Sequence, residues 1–500
     1  MRLHDDDNVV IALNGITVGA QPDGMPVAAL DAAGPGHKIA TTDIACGARI
    51  LRYGQTIGVA TRDISAGQHV HVHNMGMGGH GADYAFGSQS HPLPSAPEPR
   101  VFQGFRRADG KAGTRNYLGI LTSVNCSGSV ARFIAEAAEK SGLLDEFENV
   151  DGIMPIVHGS GCGMSAVHEG YDTLFRTLSG YAQHANFAGI LLIGLGCEVM
   201  QVPDLIGKGR LRADGNFQYM TIQATGGTQA SIDKGLAILR DMAKIANAAS
   251  RESIPASELV VGLQCGGSDG FSGITANPAL GHASDLLVRH GGISILSETT
   301  EVYGAEHLLT RRAVSEEVGQ KLVDRIHWWE NYTATNNAEM NNNPSPGNKR
   351  GGLTTILEKS LGAVAKGGAA PLSDVYRFAE PITTRGFVFM DSPGYDPCSV
   401  TGQIASGANL IAFTTGRGSV SGFMPTPCIK LATNSDMYAR MSGDMDINCG
   451  DIVTDGVSLS AKGDEIFEIF LRVASGEKTK SEQLGFGGAE FVPWQLGVVL

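Results

Sequence analysis

The chain has 500 residues, including 67 glycines and 8 cysteines, and its 42% hydrophobic content is ordinary for a globular protein. That content excludes a disordered chain, and the glycines lack the period of three that collagen requires. A formal net charge of −13 with no lysine- or arginine-rich run argues against a nucleic-acid partner.

Residues 1–92 are predicted to form a small β-rich module. Short β-branched segments such as VVIALNGI and RILRYGQTIGVAT alternate with Gly, Asp and Pro turns. The opening MRLHDDDNVV places three aspartates where a signal peptide carries positive charge, and no apolar run reaches the roughly 18 residues of a membrane helix. We therefore expect a cytoplasmic protein with no membrane partner.

The segment QHVHVHN in this module places His69, His71 and His73 at alternate positions. On a strand, alternate side chains share one face, so three imidazoles would form a site for a divalent metal. The alternative is the polar outer face of a small β-domain. A Pro- and Ser-rich segment follows the module, and we place a linker at residues 93–104.

The remaining chain is predicted to be an α/β region with parallel, doubly wound sheets, divided into residues 105–255 and 256–500. Continuous apolar strands such as YLGILT, GILLIG and LVVGLQC alternate with helical patterns, among them Ala230–Asn247. RGFVFMD, NLIAFTTGRG and CIKLATN are predicted strands of the last third, and Glu465–Ala474 is a predicted helix. The polar segment 336–352 is too long for a simple connection, which marks it as a functional candidate.

Four predicted strands are followed by a cysteine: Cys126, Cys162, Cys197 and Cys265. They lie 36, 35 and 68 residues apart, close to one or two strand–helix units, which predicts all four at the carboxyl edge of one parallel sheet. Thiolates there would bind a metal or an iron–sulfur cluster, and the absence of a C-x-x-C pair would leave a position open to substrate. The alternative is that these cysteines are small hydrophobic core residues.

Other polar residues follow the same predicted strand ends. His158 shares a loop with Cys162, whereas Lys349 and Arg417 lie in Gly-rich turns that favour anion binding. RRADGKAGTRN offers Arg115 and Asn116 at the start of the parallel region, and the alternative for each cation is a solvated surface charge. The chain lacks a phosphate-binding P-loop, a complete dinucleotide fingerprint and a G-x-S-x-G elbow.

The chain resembles the altronate/galactarate dehydratase family nearly from end to end. The matching segments include GHKIATTDI, RRADGKAGTRNYLGI, HGSGCG, IGLGCE, CGGSDGFSGITANP, SETTEVYGAE, NPSPGNK and TTGRG. QHVHVHN resembles the altronate branch and has no counterpart in the galactarate branch, which places the chain nearer the altronate side.

The resemblance implies a SAF-type (β-clip) N-terminal module fused to an α/β catalytic region. It further implies a carbon–oxygen lyase (hydro-lyase) that dehydrates a small anionic sugar acid, altronate-like, to a 2-keto-3-deoxy acid. The implied cofactor is a divalent metal, usually iron (Fe²⁺), with Mn²⁺ as the alternative ion. Other possibilities are an aldarate dehydratase, a sulfolactate sulfo-lyase-like enzyme and a non-enzymatic sugar-acid sensor. A homo-oligomer is the usual expectation for an enzyme of this size.

We expect the metal among Cys126, Cys162 and Cys197, with Cys265 close by and His71 and His73 as a lid or second metal site. His158 is the candidate base, and Asp269 and Glu298 are alternative bases or ligands because both follow predicted strands. Arg115, Asn116, Lys349 and Arg417 would hold the substrate. The net charge then predicts a basic pocket within an acidic protein.

Overall fold

The computed structural model describes residues 1–22, 25–79, 83–96, 98–209, 211 and 216–497. Within these ranges the N-terminal module is β-rich, as predicted, and contains two small antiparallel sheets. One sheet has the order β1-β2-β5 and the other has the order β3-β4-β6. The strands are β1 Val9–Ile11, β2 Lys38–Ala40, β3 Arg49–Arg52, β4 Gln55–Ala60, β5 His69–Val70 and β6 Met75–Gly76.

The second region is built on a four-stranded parallel sheet with the order β10-β9-β11-β12. All six residues of β9 are buried, and helices cover the sheet on both sides of its apolar core. The elements are β7 Val101–Arg106, β8 Ala112–Gly113, β9 Tyr117–Thr122, α1 Gly128–Lys140, β10 Gly152–Ile156, α2 Glu169–Ala182, β11 Phe187–Gly194, α3 Val202–Lys208, β12 Phe217–Thr221, α4 Ile222–Thr225, α5 Thr228–Asn247 and β13 Glu252–Pro255.

The third region contains a seven-stranded parallel sheet with the order β16-β17-β15-β14-β18-β19-β20. Its elements begin with β14 Val260–Cys265, α6 Ala276–Arg289, β15 Ile293–Leu296, α7 Glu306–Thr310, α8 Glu316–Thr335, α9 Pro346–Arg350, α10 Ile356–Val364, β16 Leu372–Tyr376 and β17 Gly386–Met390. They continue with α11 Asp396–Ala405, β18 Leu410–Thr415, β19 Cys428–Ala432, α12 Ser435–Arg440, β20 Ile447–Asn448, α13 Asp451–Thr454, α14 Leu459–Ala474 and α15 Lys480–Gln483.

The period of the apolar residues explains both element types. In α1, Val130, Ile134 and Ala138 recur at helical spacing and are buried against the sheet, while the opposite face is exposed. In β18 all six residues are buried, as expected for a strand covered by helices on both faces. The predicted α/β class with parallel sheets and a small β-rich N-terminal module is confirmed.

The prediction that four cysteines share one sheet edge is wrong for Cys265. Cys126, Cys162 and Cys197 follow β9, β10 and β11 of the four-stranded sheet, whereas Cys265 ends β14 of the seven-stranded sheet. Between the two sheets the chain forms β13, which pairs antiparallel with β7. The 68-residue interval therefore contains a change of sheet rather than two strand–helix units.

Three smaller predictions differ from the structure. The histidine strand ends at Val70, so His71 and His73 lie in a turn. The polar segment 336–352 contains the short helix α9, which begins with a capping box between Ser345 and Asn348. The last long helix, α14, begins at Leu459 rather than Glu465. No helix among the described residues is long and apolar enough to span a membrane.

Candidate functional site

The carboxyl ends of β14, β15 and β17 lie side by side in the seven-stranded sheet. This edge is where open α/β sheets bind ligands. Cys265 is the last residue of β14, Glu298 lies two residues after β15, and Asp396 begins the helix that follows β17. The chain therefore brings a thiol and carboxyl groups from three adjacent strands to one place.

A buried cluster surrounds Cys265. The ammonium group of Lys366 donates to the Cys265 sulfur at 2.9 Å and lies 3.5 Å from Glu298 Oε2. The sulfur lies 3.8 Å from Glu298 Oε2 and 3.7 Å from Glu301 Oε2. On the other side, Lys359 donates to Glu301 Oε1 at 2.5 Å and to Asn343 Oδ1 at 3.1 Å.

Burial controls the proton affinities in this cluster. It raises the pKa of the Cys265 thiol to about 12, although Lys366 opposes the change. It also raises the pKa of Glu298 well above its ordinary value, and the neighbouring Glu301 adds to this effect. For Lys359, burial alone would lower the pKa, but the charge of Glu301 reverses the direction and raises it.

The backbone of Glu298 is held in the left-handed region, with φ of 70°. A non-glycine residue in this conformation carries strain, and such strain is concentrated at functional sites. The Ser392 hydroxyl accepts the Glu298 N–H at 2.9 Å and fixes the turn. Glu298 Oε1 is buried without a hydrogen-bond partner, so this carboxyl group has a free ligand position.

An open cavity of about 440 Å³ lies against the cluster. Asp396 is one of the residues that line this cavity. Burial raises the pKa of its carboxyl group to about 6, and the charge of Glu301 makes the next largest contribution. This cavity is not the basic pocket that the sequence predicted, because three of its four charged residues are acidic. They are Glu301, Glu339 and Asp396, and the fourth is Lys359. The lining also includes Gly266, Gly267, Thr300, Asn342, Asn343, Ser345, Asn348 and Tyr395, so the NPSPGNK segment forms one wall.

Cys265, Glu298 and Glu301 fit a divalent metal. Among the described residues they form the one group of three or more His, Cys, Asp or Glu whose ligand atoms all lie within 4.8 Å of one another. A thiolate with two carboxylates suits a transition metal such as Fe²⁺ or Zn²⁺. The unpartnered Glu298 Oε1 offers a free acceptor for a cation.

His158 lies at the edge of the four-stranded sheet, away from this cluster. It is buried, and its Nε2 pairs with the Thr122 carbonyl at 3.0 Å, while its Nδ1 accepts the Ser160 N–H at 3.2 Å. Burial lowers its pKa to about 4. Because both ring nitrogens are used within the protein, this geometry disfavours His158 as the base.

Arg115 and Asn116 precede β9 and so lie at the opposite edge of that sheet from the cysteines. Arg115 is buried and donates to both oxygens of Glu482, at 2.6 and 2.8 Å, and to three backbone carbonyls. Asn116 donates to the carbonyls of Asn149 and Ala246. Their contacts support the fold rather than a substrate.

Asp269 and Arg417 lie on loops after β14 and β18. Asp269 is buried and accepts hydrogen bonds from Ser272, Thr433 and Asn434, so it ties the loops that follow β14 and β19 together. Arg417 lies beside Gly267 of the cavity lining, and its exposed side chain has no hydrogen-bond or ion-pair partner among the described residues. This leaves its guanidinium group available for a carboxylate.

The N-terminal module docks against the NPSPGNKR segment. His71 Nε2 pairs with the Lys349 carbonyl at 2.9 Å, and His37 Nε2 pairs with the Arg350 carbonyl at 3.2 Å. His69 stacks on His71, and His73 lies beside His69, with ring centroids 5.4 and 5.5 Å apart. Burial lowers the pKa of His71 to about 4. The histidines thus contact the segment that borders the cavity.

Sequence reasoning missed Glu301, Lys359, Lys366 and Asp396. Glu301 follows Glu298 by three residues, and Asp396 follows a predicted strand, so strand-end position was an available signal for both. No such signal marks the lysines. Lys359 lies on α10, all nine of whose residues are buried, and Lys366 follows in a buried 3-10 turn.

Three family models match the chain in succession. Residues 1–78 match the altronate/galactarate dehydratase SAF domain, and residues 104–247 match the D-galactarate dehydratase/altronate hydrolase second domain. Residues 256–499 match the D-galactarate/altronate dehydratase C-terminal model. The last of these contains the whole Cys265 cluster and its cavity.

Full-length relatives agree with these matches. Galactarate dehydratase (L-threo-forming) of Escherichia coli (strain K12) is 39% identical over 97% of this chain and 94% of its own. Altronate dehydratase of Bacillus subtilis (strain 168) is 36% identical over 100% of this chain and 99% of its own. Altronate dehydratase of Escherichia coli (strain K12) is 34% identical over the same shares.

Proposed function

The chain belongs to the altronate/galactarate dehydratase family, and from this we propose that it is a hydro-lyase that dehydrates a sugar acid in the 440 Å³ cavity beside Cys265. The single observation that carries the proposal is the buried cluster at the carboxyl edge of the seven-stranded sheet. Cys265, Glu298 and Glu301 converge there behind an open cavity with ionisable walls. A sensor has no need for such a cluster.

We propose a divalent metal, iron first and manganese second, held by Cys265, Glu298 and Glu301. When bound, the ion supplies Lewis acidity that stabilises negative charge beside a carboxylate. Binding requires the Cys265 thiolate, and Lys366, 2.9 Å from the sulfur, stabilises that charge. Lys359 and Asn343 orient Glu301 through hydrogen bonds of 2.5 and 2.6 Å.

The reaction removes a proton from C2 and hydroxide from C3 of the sugar acid. Asp396 lines the cavity, and with a pKa of about 6 its carboxylate is mostly ionised at neutral pH, so it is our candidate for the C2 base. The Lys359 ammonium faces the same cavity and protonates the departing hydroxyl group, which leaves as water. The enol product then tautomerises to the 2-keto-3-deoxy acid.

Arg417 is our candidate for the substrate carboxylate. Its backbone N–H donates to the carbonyl of Gly267 in the cavity wall at 2.8 Å, and its guanidinium group has no partner among the described residues. Lys349 lies on the short helix that supplies Asn348 to the cavity wall. We propose an altronate-like aldonate as substrate, since the altronate relatives align over the whole chain. Galactarate is the second candidate, because its dehydratase has the higher identity.

A substrate panel tests the proposal. The protein is incubated anaerobically with Fe²⁺ and altronate, galactarate or other aldonic and aldaric acids, and 2-keto-3-deoxy products are measured. We expect one sugar acid to react, and Glu298→Gln to reduce both activity and bound iron. Glu252→Gln, on exposed β13, is the matched control. Failure of every acid would refute the proposed activity.

A further inference from the structure

Three of the chain's free cysteines are exposed at one edge of the four-stranded sheet. Cys126 follows β9, Cys162 follows β10 and Cys197 follows β11. These strands are direct neighbours in the order β10-β9-β11, with β9 in the centre. Neighbouring strands lie about 4.8 Å apart, so the three strand ends span about 10 Å. Exposure sets these thiols apart, because free cysteine is among the most buried residue types.

The three loops are fixed to one another at positions next to the cysteines. The Asn125 N–H donates to the Ser160 carbonyl at 2.9 Å, and the Met200 N–H donates to the Gly161 carbonyl at 3.0 Å. Gly161 has φ of 96°, and a Cβ atom there would lie 2.2 Å from the Ser123 carbonyl oxygen. Only glycine permits this approach, so the loop carrying Cys162 is held against the loop carrying Cys126.

Polar side chains beneath the loops act as braces. Glu198 is buried, accepts from the Ser123 hydroxyl at 2.7 Å and accepts from the Gly196 N–H at 2.6 Å. His158 uses both ring nitrogens in its contacts with Thr122 and Ser160. Glu198 and His158 therefore use their polar atoms to hold the backbone of these loops. The three thiols are exposed and remain available to bind a ligand.

The setting suits a soft metal. Cys126 lies in the 3-10 turn that leads directly into α1, and the start of a helix favours negative charge. Three thiolates from separate loops, without a fourth, leave one coordination position open. Thiolate-only ligand sets favour iron–sulfur clusters and Zn²⁺ over the hard cations that carboxylates bind.

We propose that Cys126, Cys162 and Cys197 form a thiolate metal centre that is separate from the Cys265 cluster. It binds an iron–sulfur cluster at the edge of the four-stranded sheet, with Glu198 as a positioning residue. A cluster fits better than a single ion, because the three sulfurs do not all lie within 4.8 Å of one another, and a cluster separates its ligand sulfurs more widely than one ion does. The centre does not depend on the proposed dehydration, because it lies on a different sheet from Cys265.

Metal and sulfide analysis of the full chain tests this proposal. Protein is loaded anaerobically with Fe²⁺ and sulfide, or with Zn²⁺ alone, and passed through a desalting column. We expect Cys126→Ser, Cys162→Ser and Cys197→Ser each to lose the acid-labile sulfide and the iron bound with it, while the metal at the Cys265 cluster is retained. Cys46→Ser, an exposed thiol in the N-terminal module, is the matched control and keeps the wild-type content. Acid-labile sulfide that the wild type binds and these variants lose identifies the cluster. A wild type that binds no sulfide, and whose zinc is lost in the variants, would contradict it.

Alkylation gives a second readout that does not depend on activity. In metal-loaded protein, iodoacetamide should label these three thiols at least tenfold more slowly than in metal-free protein, while Cys46 is labelled equally in both. Glu198→Gln should weaken metal retention without removing any ligand. The proposal is overturned if the triple serine variant keeps the full metal content, or if Cys265→Ser alone removes all of it.

Discussion

Glu358 provides the sharpest test of how the N-terminal module is attached. Its carboxylate is fully buried and accepts from Lys38 at 2.8 and 2.9 Å and from Arg52 at 2.6 Å, both of which belong to the module. It also accepts from the Thr354 hydroxyl and N–H groups. Burial opposes ionisation, but the two cations outweigh it and lower the pKa of Glu358 to about 2.

Glu358→Gln should lower the free energy of unfolding by about 3 kcal/mol. A carboxyl group whose pKa falls from 4.5 to about 2 gains about 3 kcal/mol in its charged form. Breaking a buried ion pair costs a similar 3–5 kcal/mol, because an uncompensated cation remains. This stabilisation is fully present above pH 4.5 and is lost as the pH falls towards 2, since the folded-state pKa is the lower one.

Urea denaturation of the full chain measures the effect. Glu468→Gln is the matched control, because Glu468 makes a bidentate pair with Arg100, at 2.5 and 2.6 Å, on the surface, and should cost less than 1 kcal/mol. The double variant Lys38→Met/Glu358→Gln should be more stable than Glu358→Gln alone, since it removes the orphaned ammonium group. Equal destabilisation by Glu358→Gln and Glu468→Gln would refute the reasoning.

Three further predictions concern the cavity and the fold. Asp396→Asn should lower kcat/KM at least 100-fold and abolish the rise in rate with pH around 6, as read from a pH–rate profile. Arg417→Gln should raise KM about tenfold or more with little change in kcat, whereas the exposed Arg440→Gln should not, as measured by steady-state kinetics. His184 is buried with a pKa of about 4, so its stabilisation of the fold is present above pH 6.5 and is lost as the pH falls towards 4. The free energy of unfolding, measured with urea, should therefore fall between pH 7 and 5, and His184→Gln should reduce this fall by about 2 kcal/mol.

Sequence patterns predicted the parts of the site that depend on strand position. The ends of β14 and β15 could be located from continuous apolar runs, so Cys265 and Glu298 were named in advance. The cations were less predictable. Arg115 follows a basic, glycine-containing segment that resembles an anion site, but its partner Glu482 lies 367 residues later in the chain. Pairing at that distance depends on the tertiary fold, which periodicity does not encode.

The surroundings of Lys359, too, depend on the tertiary fold and could not be predicted from the local sequence. The α10 sequence ILEKSLGAV has a charged pair that is typical of a half-exposed helix, yet every residue of α10 is buried. The helix carries Glu358, which pairs with Lys38 and Arg52 of the N-terminal module, and Lys359, which pairs with Glu301 at the cavity. Docking of the module therefore explains why Glu358 is buried, whereas pairing with Glu301 explains why Lys359 is.

The division of the cysteines between two sheets also separates their chemistry. Cys265 is buried with two carboxyl groups and two lysines, a mixed set that suits a borderline divalent ion and a charged reaction. Cys126, Cys162 and Cys197 are exposed on braced loops and offer sulfur alone. Because the ligand sets differ in softness, their metals should differ in response to removal: a hard chelator should act first on the Cys265 cluster, and a thiol-specific reagent on the exposed three.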